Sequence, residues 1–237
     1  MIKTVWLDNP PVNAISPAVI AHVYEELADL GDTRVVVLRG RGERAFSAGA
    51  DIGGFQGERA ESEHPAGITP LAEFLERLPV PVVAAIHGYC LGGGLEIALG
   101  CDLRIATRDA QFGFPEVKLG LLPGGGGTQR APRLVGAGRA AWLIMSGERI
   151  PAERALQWGL IEGVFDDLED GIDEIAGTLA KQSPHAIRQI KALLAGTRDR
   201  ADYDREGAAF GACLASEDGQ EGVAAFLEKR EPQWTGR

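Results

Sequence analysis

The stretch from Val80 to Gly100, VPVVAAIHGYCLGGGLEIALG, most constrains what this chain can fold into. It carries a single formal charge over a length that could cross a bilayer. Pro81, His87, Glu96 and the consecutive glycines Gly92, Gly93 and Gly94 would be costly or disruptive in a spanning helix. The segment reads instead as a buried strand up to Ile86, a glycine turn, and a buried helix from Leu95. Such a segment must be covered on all sides by other layers. With 237 residues and 45% apolar content, the chain can build one large core and is short for two.

The flanking sequence supplies those layers. Thr4 to Leu7 reads as a strand ended by the turn-rich Asp8-Asn9-Pro10-Pro11. Ser16 is placed to cap a helix whose first residue is Pro17, and Ile20, Val23, Leu27 and Leu30 share one helical face. Arg34 to Arg39 is a short apolar run of strand length. Residues 53–70 are polar and rich in Gly and Pro, which predicts a long loop. A helix over Leu71 to Leu78 and a strand over Pro81 to Ile86 follow, with further strands near Leu103 to Ala106 and Gln111 to Phe114. Beyond Pro123 to Gly127 the pattern predicts helices only: Gly138 to Met145, Pro151 to Trp158, Ile172 to Lys181, Pro184 to Leu194 and about Gly219 to Arg230. No linker divides the chain. The expectation is one domain over 1–237, with an alternating strand–helix core to about 130 and a helical part from about 131.

A formal net charge of -10 disfavours nucleic acid and anionic membrane as partners. Arg188, Lys191, Arg198 and Arg200 read as a solvated helix face and its end, not as a basic stripe. Cys90, Cys101 and Cys213 are too few and too scattered for a disulfide framework or a zinc knuckle, so a reducing, cytoplasmic setting and no metal are expected. No basic-then-apolar leader opens the chain.

Three segments could carry chemistry. In the first, AAIHGYCLGGGLE, a strand runs through glycines into a helix start, where free N–H groups can hold developing negative charge. Neither glycine cluster matches a phosphate or dinucleotide loop: no Lys-Ser/Thr follows, and Ile97 stands where a third glycine is required. Glu96 lies among Leu95, Ile97, Ala98 and Leu99, so it either faces solvent at the helix start or is held in a cavity. In the second, QFGFPEV, Phe114 before Pro115 must be extended, which presents Glu116 at a strand end or leaves it as a turn carboxylate. In the third, AFSAGADI, small residues let a ligand approach the backbone. Ser47 lacks a nucleophile-elbow setting, and Asp51 reads as a turn or cap residue.

Taken together, these segments resemble the crotonase superfamily, and enoyl-CoA hydratase within it. The likeness spans the chain, from DNPPVNA through AFSAGAD, AAIHGYCLGGGLEIALGCDLRIA, QFGFPEVKLGLLPGGGGTQR and SGERIPAERALQWGLI to GVAAFLEKREP. The resemblance implies an α/β fold, a crotonase-like spiral of ββα turns with a C-terminal helical trimerisation region, assembling as a homotrimer or homohexamer. It implies a hydro-lyase that adds water to a 2-enoyl-CoA, as in fatty acid β-oxidation, with no cofactor beyond the CoA of its substrate. By that likeness, Glu96 and Glu116 are the acid/base pair, and the N–H groups of Ala48 and Gly93 form the oxyanion hole. The same likeness makes Ala48, Gly49, Ala50, Asp51, Ile52 and Gly93 substrate- or CoA-binding residues, with Phe226 and Lys229 near the adenine and 3′-phosphate. An enoyl-CoA isomerase is the alternative; such enzymes commonly keep the glutamate at 116 and lack the one at 96. Met1 stands close to the first motif, so a sheet edge that is shorter or differently covered than in the family is expected, and residues 53–70 match no motif.

Overall fold

The computed structural model describes residues 1–51, 67–194, 212 and 215–237. Ile52, most of the expected 53–70 loop, Arg198, Arg200 and Cys213 lie outside the described residues. Strands β1 (Ile2–Leu7), β2 (Val35–Gly40), β4 (Val82–Ile86), β6 (Leu103–Thr107) and β9 (Gly163–Phe165) form a five-stranded parallel sheet in that order. Strands β3 (Ala45–Ser47), β5 (Tyr89–Leu91), β7 (Gln111–Gly113) and β8 (Arg149–Pro151) form a second sheet, parallel except where β8 meets β7. From β2 to β7, consecutive strands therefore alternate between the sheets. The pair β2–β3 is followed by α2 (Ile68–Arg77), the pair β4–β5 by α3 (Gly93–Leu99), and the pair β6–β7 by a 3₁₀ turn (Pro115–Leu119) and α4 (Gly127–Val135). Each ββα unit makes one turn of a spiral.

The burial pattern explains why these runs are strands. In β2, Val36 and Leu38 enter the main core between the layers, while Val35 and Val37 enter a second cluster under α7 (Leu168–Ala180). In β4, Val82, Ala84 and Ile86 take the first side, and Val83 and Ala85 the second. A parallel sheet covered on both faces needs such unbroken apolar runs. Helix α1 (Pro17–Ala28) starts where expected: the Ser16 Oγ accepts from the Val19 N–H at 3.3 Å, and Pro17 opens the helix. The edge strand β1 pairs with β2 from Ile2 to Leu7.

The part beyond residue 130 is not all helix. Between α5 (Ala137–Ser146), α6 (Ala152–Trp158) and α7, it returns β8 and β9 to the two sheets. Each is only three residues long and has no readable periodicity. Lys191 on α8 (Pro184–Leu194) is likewise not a solvated side chain. It is 7% exposed, and its Nζ donates to the Leu75 and Val80 carbonyls at 2.9 Å and to Asp102 Oδ2 at 2.6 Å. That clamp pins α8 to the spiral. A last helix, α9 (Glu217–Glu228), packs on α8. Among the described residues, no helix is long and apolar enough to cross a membrane.

Candidate active site

The spiral brings the three sequence segments to one place, between β3, β5 and the start of α3. Gly94 sits so close to β3 that an added Cβ would fall 2.6 Å from the Ser47 Cβ and carbonyl oxygen. The helix therefore meets the strand backbone to backbone. Gly92, at φ 49°, turns the chain from β5 into α3 in a conformation L side chains rarely adopt. A Cβ there would also meet Glu116 Oε1 at 2.8 Å.

Glu96 does not face solvent; it is 2% exposed. Its Oε1 accepts the N–H of Gly125 at 2.7 Å and of Gly127 at 2.8 Å, so the glycine run before α4 wraps the carboxylate. Burial pushes its carboxyl above the usual range, while these two N–H groups and the nearby Arg130 charge pull the other way. The role of Gly125 and Gly127 was not read from sequence. The visible signal was a second glycine run that fits no phosphate loop.

Glu116 comes toward Glu96 from the 3₁₀ turn, because Phe114 is extended (φ -117°, ψ 85°) and Pro115 opens the turn. Its Oε2 is buried with no hydrogen-bond partner among the described residues. Burial pushes its carboxyl up to about 6; its own N–H opposes this, and the Glu96 charge adds to it. The two glutamates are thus close enough to feel each other, in unlike surroundings.

This has a consequence for stability. A carboxyl that titrates near 6 when folded and 4.5 ordinarily binds its proton more tightly in the folded protein. The resulting stabilisation is complete below pH 4.5 and is lost as pH rises through about 6. At about pH 8 the ionised Glu116 is a net destabilising group, by about 1 kcal/mol once its partial solvent contact is allowed for. Glu116→Gln is expected to raise Tm by about 2–4 °C at that pH and to lose the gain in acid. Calorimetry at both pH values checks this.

The two N–H groups expected to be free differ from expectation at one position. The Ala48 N–H donates to the Val12 carbonyl at 2.9 Å and is not available to a ligand. Two residues on, the backbone pairs with Ile15: Ile15 N–H donates to Gly49 O at 2.8 Å, and Asp51 N–H to Ile15 O at 3.0 Å. That parallel register turns the Ala50 N–H to the opposite side, where it makes no hydrogen bond among the described residues. A Cβ built on Gly93 would stand 3.2 Å from Ala50 N. Ala50 therefore replaces Ala48 beside Gly93. Gly49 (φ 122°) and the first residue of α2, Ile68, complete this wall, with Ile68 Cδ1 2.3 Å from where a Gly93 Cβ would be.

The remaining expected residues are less closely tied to this site. The Asp51 N–H serves the register, and the Ser47 Oγ accepts from Gly49 N–H at 3.3 Å, a local turn contact. Lys229 stands exposed just past α9, and the Phe226 side chain lies outside the described residues.

The family profile described as enoyl-CoA hydratase/isomerase matches residues 1–237. The chain belongs to this family. A "probable enoyl-CoA hydratase" of Bacillus subtilis is 40% identical to it, over 99% of this chain and 95% of the relative. A "carnitinyl-CoA dehydratase" of Citrobacter koseri is 36% identical, over 100% and 95%. Among solved structures, an enoyl-CoA hydratase from Bacillus anthracis superposes with a TM-score of 0.90 at 38% identity, covering 100% of this chain and 96% of that one. The two-sheet spiral is the crotonase fold of this enoyl-CoA hydratase/isomerase family.

Proposed function

We propose that this family member hydrates 2-enoyl-CoA thioesters to 3-hydroxyacyl-CoA. The observation that carries the reading is the presence of a buried carboxyl, Glu96, and a half-buried one, Glu116, beside a pair of free backbone donors, Ala50 and Gly93. Adding water to the conjugated double bond shifts charge onto the thioester oxygen. Two preset N–H donors stabilise it, each by about 3 kcal/mol in comparable sites.

The unlike surroundings supply the role split. Glu96 accepts two N–H groups that favour its charged form, which suits the base taking a proton from water as its oxygen joins C3. Glu116 has a partnerless Oε2 and titrates near 6, which suits the acid delivering a proton to C2. One water is consumed, and its hydroxyl and a proton end on adjacent carbons. The dehydratase relative fits the same chemistry run in reverse on another acyl group, so the acyl preference is read from a panel of thioesters.

Several further features belong to this reading. Gly49, Asp51 and Ile52 would line the thioester, with Phe226 and Lys229 at the CoA end. CoA enters as part of the substrate, with no separate cofactor. A homotrimer or homohexamer built through the C-terminal helices, in the cytoplasm, fits the family. The experiment that tests the function follows loss of the conjugated enoyl absorbance with crotonyl-, long-chain and aryl-enoyl-CoA. Rapid conversion of a 3-enoyl-CoA without hydration of any 2-enoyl-CoA would replace the hydratase by an isomerase.

A further inference from the structure

Gly124, Gly125, Gly126 and Gly127 carry no side chains, yet two of their N–H groups must point at one carboxylate oxygen. Four consecutive glycines are the most expensive backbone to order, so something must hold this loop in place. A single guanidinium crosses it. Arg130 Nη1 donates to the Gly125 carbonyl at 3.0 Å, and its Nε and Nη2 donate to the two carboxylate oxygens of Glu76 at 2.7 and 3.3 Å. The Arg130 side chain is 11% exposed, and Glu76 lies on the neighbouring helix α2.

We propose that Arg130 is a positioning residue for Glu96: anchored by Glu76, it grips the Gly125 carbonyl and so fixes the glycine loop whose N–H groups aim the base. The shape of the loop is built around this contact. Gly126 has φ 102°, and a Cβ on it would fall 1.9 Å from Arg130 Nη1. The Arg130 N–H also donates back to the Gly126 carbonyl at 2.9 Å. Gly125 thus accepts from Arg130 and donates to Glu96, a two-step link of 3.0 and 2.7 Å. Each nitrogen of the guanidinium has a partner, so Arg130 acts through the loop and not on the substrate.

The charges around Glu96 make the link matter for protonation. Arg130 faces it from α4 and Glu116 from the 3₁₀ turn, with Glu76 on α2 behind Arg130. Burial raises the Glu96 carboxyl, while the Gly127 and Gly125 N–H groups and then the Arg130 charge lower it. Without Arg130 the loop loses its aim and the neighbouring charges left are both negative. Glu96 would then hold a proton at a pH where it must be a base.

The kinetic consequence rests on the hydratase reading, so the test has one arm that does not. Arg130→Gln is expected to lower kcat for crotonyl-CoA by about 10²-fold near neutral pH, the usual worth of a misplaced catalytic group, with KM little changed. The acid limb of its pH profile should move to higher pH, and activity should partly recover in alkaline buffer. Arg130→Lys keeps the charge but cannot span Gly125 and Glu76 together, so it should show a smaller shift in the same direction. It carries the test if the Gln variant does not fold. In parallel, ¹³C-carboxyl NMR, with Glu96 assigned by Glu96→Gln, follows the titration directly and should move upward in both variants. A loss uniform across pH with an unmoved Glu96 titration overturns the proposal. Failure of wild type to hydrate any 2-enoyl-CoA would defeat the hydratase reading and leave the titration to decide this one.

Discussion

Glu96→Gln is expected to keep the fold and to cut hydration of crotonyl-CoA by about 10²–10⁴-fold, the range a positioned acid or base supplies. The amide is nearly isosteric, and its oxygen can still accept the Gly125 and Gly127 N–H groups. What is lost is the lone pair basic enough to take a proton from water. Glu116→Gln should be comparably damaging, because C2 then has no proton donor, and the double variant should be little worse than either single one. An isomerase would separate the two. Moving a proton between C2 and C4 needs one carboxylate, so Glu116→Gln would be severe and Glu96→Gln mild. Steady-state hydration and 3-enoyl isomerisation, measured on wild type and both variants, decide between them. Near-normal hydration by Glu96→Gln would overturn the role given to that residue.

Gly94→Ala should be strongly damaging. Its Cβ would lie 2.6 Å from the Ser47 carbonyl oxygen and Cβ, both part of a buried strand that cannot give way as a flexible side-chain end can. Overpacking of this kind costs about 1–3 kcal/mol. The displacement also falls between α3, which carries Gly93, and β3, which ends three residues before Ala50. Parting those two donors by about 1 Å should remove about 10²-fold from kcat/KM. Gly177→Ala is the contrast: this glycine is inside α7 with nothing within 4 Å of an added Cβ. There a methyl should stabilise by about 0.5–1 kcal/mol and leave kcat/KM unchanged. Melting temperature and crotonyl-CoA kinetics on both variants test the pair. Equal behaviour would show that the β3–α3 contact is looser than described.

The longer elements were legible because each carries its own signal. Ser16 and Pro17 announce α1, and the unbroken apolar runs of β2 and β4 announce strands covered on both faces. Glu96 stood out as a carboxylate among apolar neighbours, whereas Glu116 was paired with it only by the family resemblance. What stayed hidden depends on contacts far apart in sequence. Strands β3, β5, β8 and β9 have three residues each and exist because a neighbour pairs with them. The choice between Ala48 and Ala50 is of the same kind. Both sit in one small-residue segment, and only pairing with Val12 and Ile15, more than thirty residues earlier, decides which N–H is taken. The buried state of Lys191 was illegible for the same reason, since its acceptors lie on Leu75, Val80 and Asp102.

The register set by Ile15 also makes catalysis a strict gauge of assembly. The Ala50 donor is aimed by the first segment of the chain, Gly93 and Glu96 come from its middle, and the loop holding Glu96 comes after residue 120. A fragment ending before Gly125 could form the first turns of the spiral and still have no aimed base. One lacking Val12 to Ile15 could hold both glutamates and have no aimed donor. During refolding, turnover should therefore return only with the last docking event, after far-UV dichroism has recovered. Halves of the chain divided between α3 and α4 would each be silent, and mixing them would turn activity into a direct count of reunited molecules.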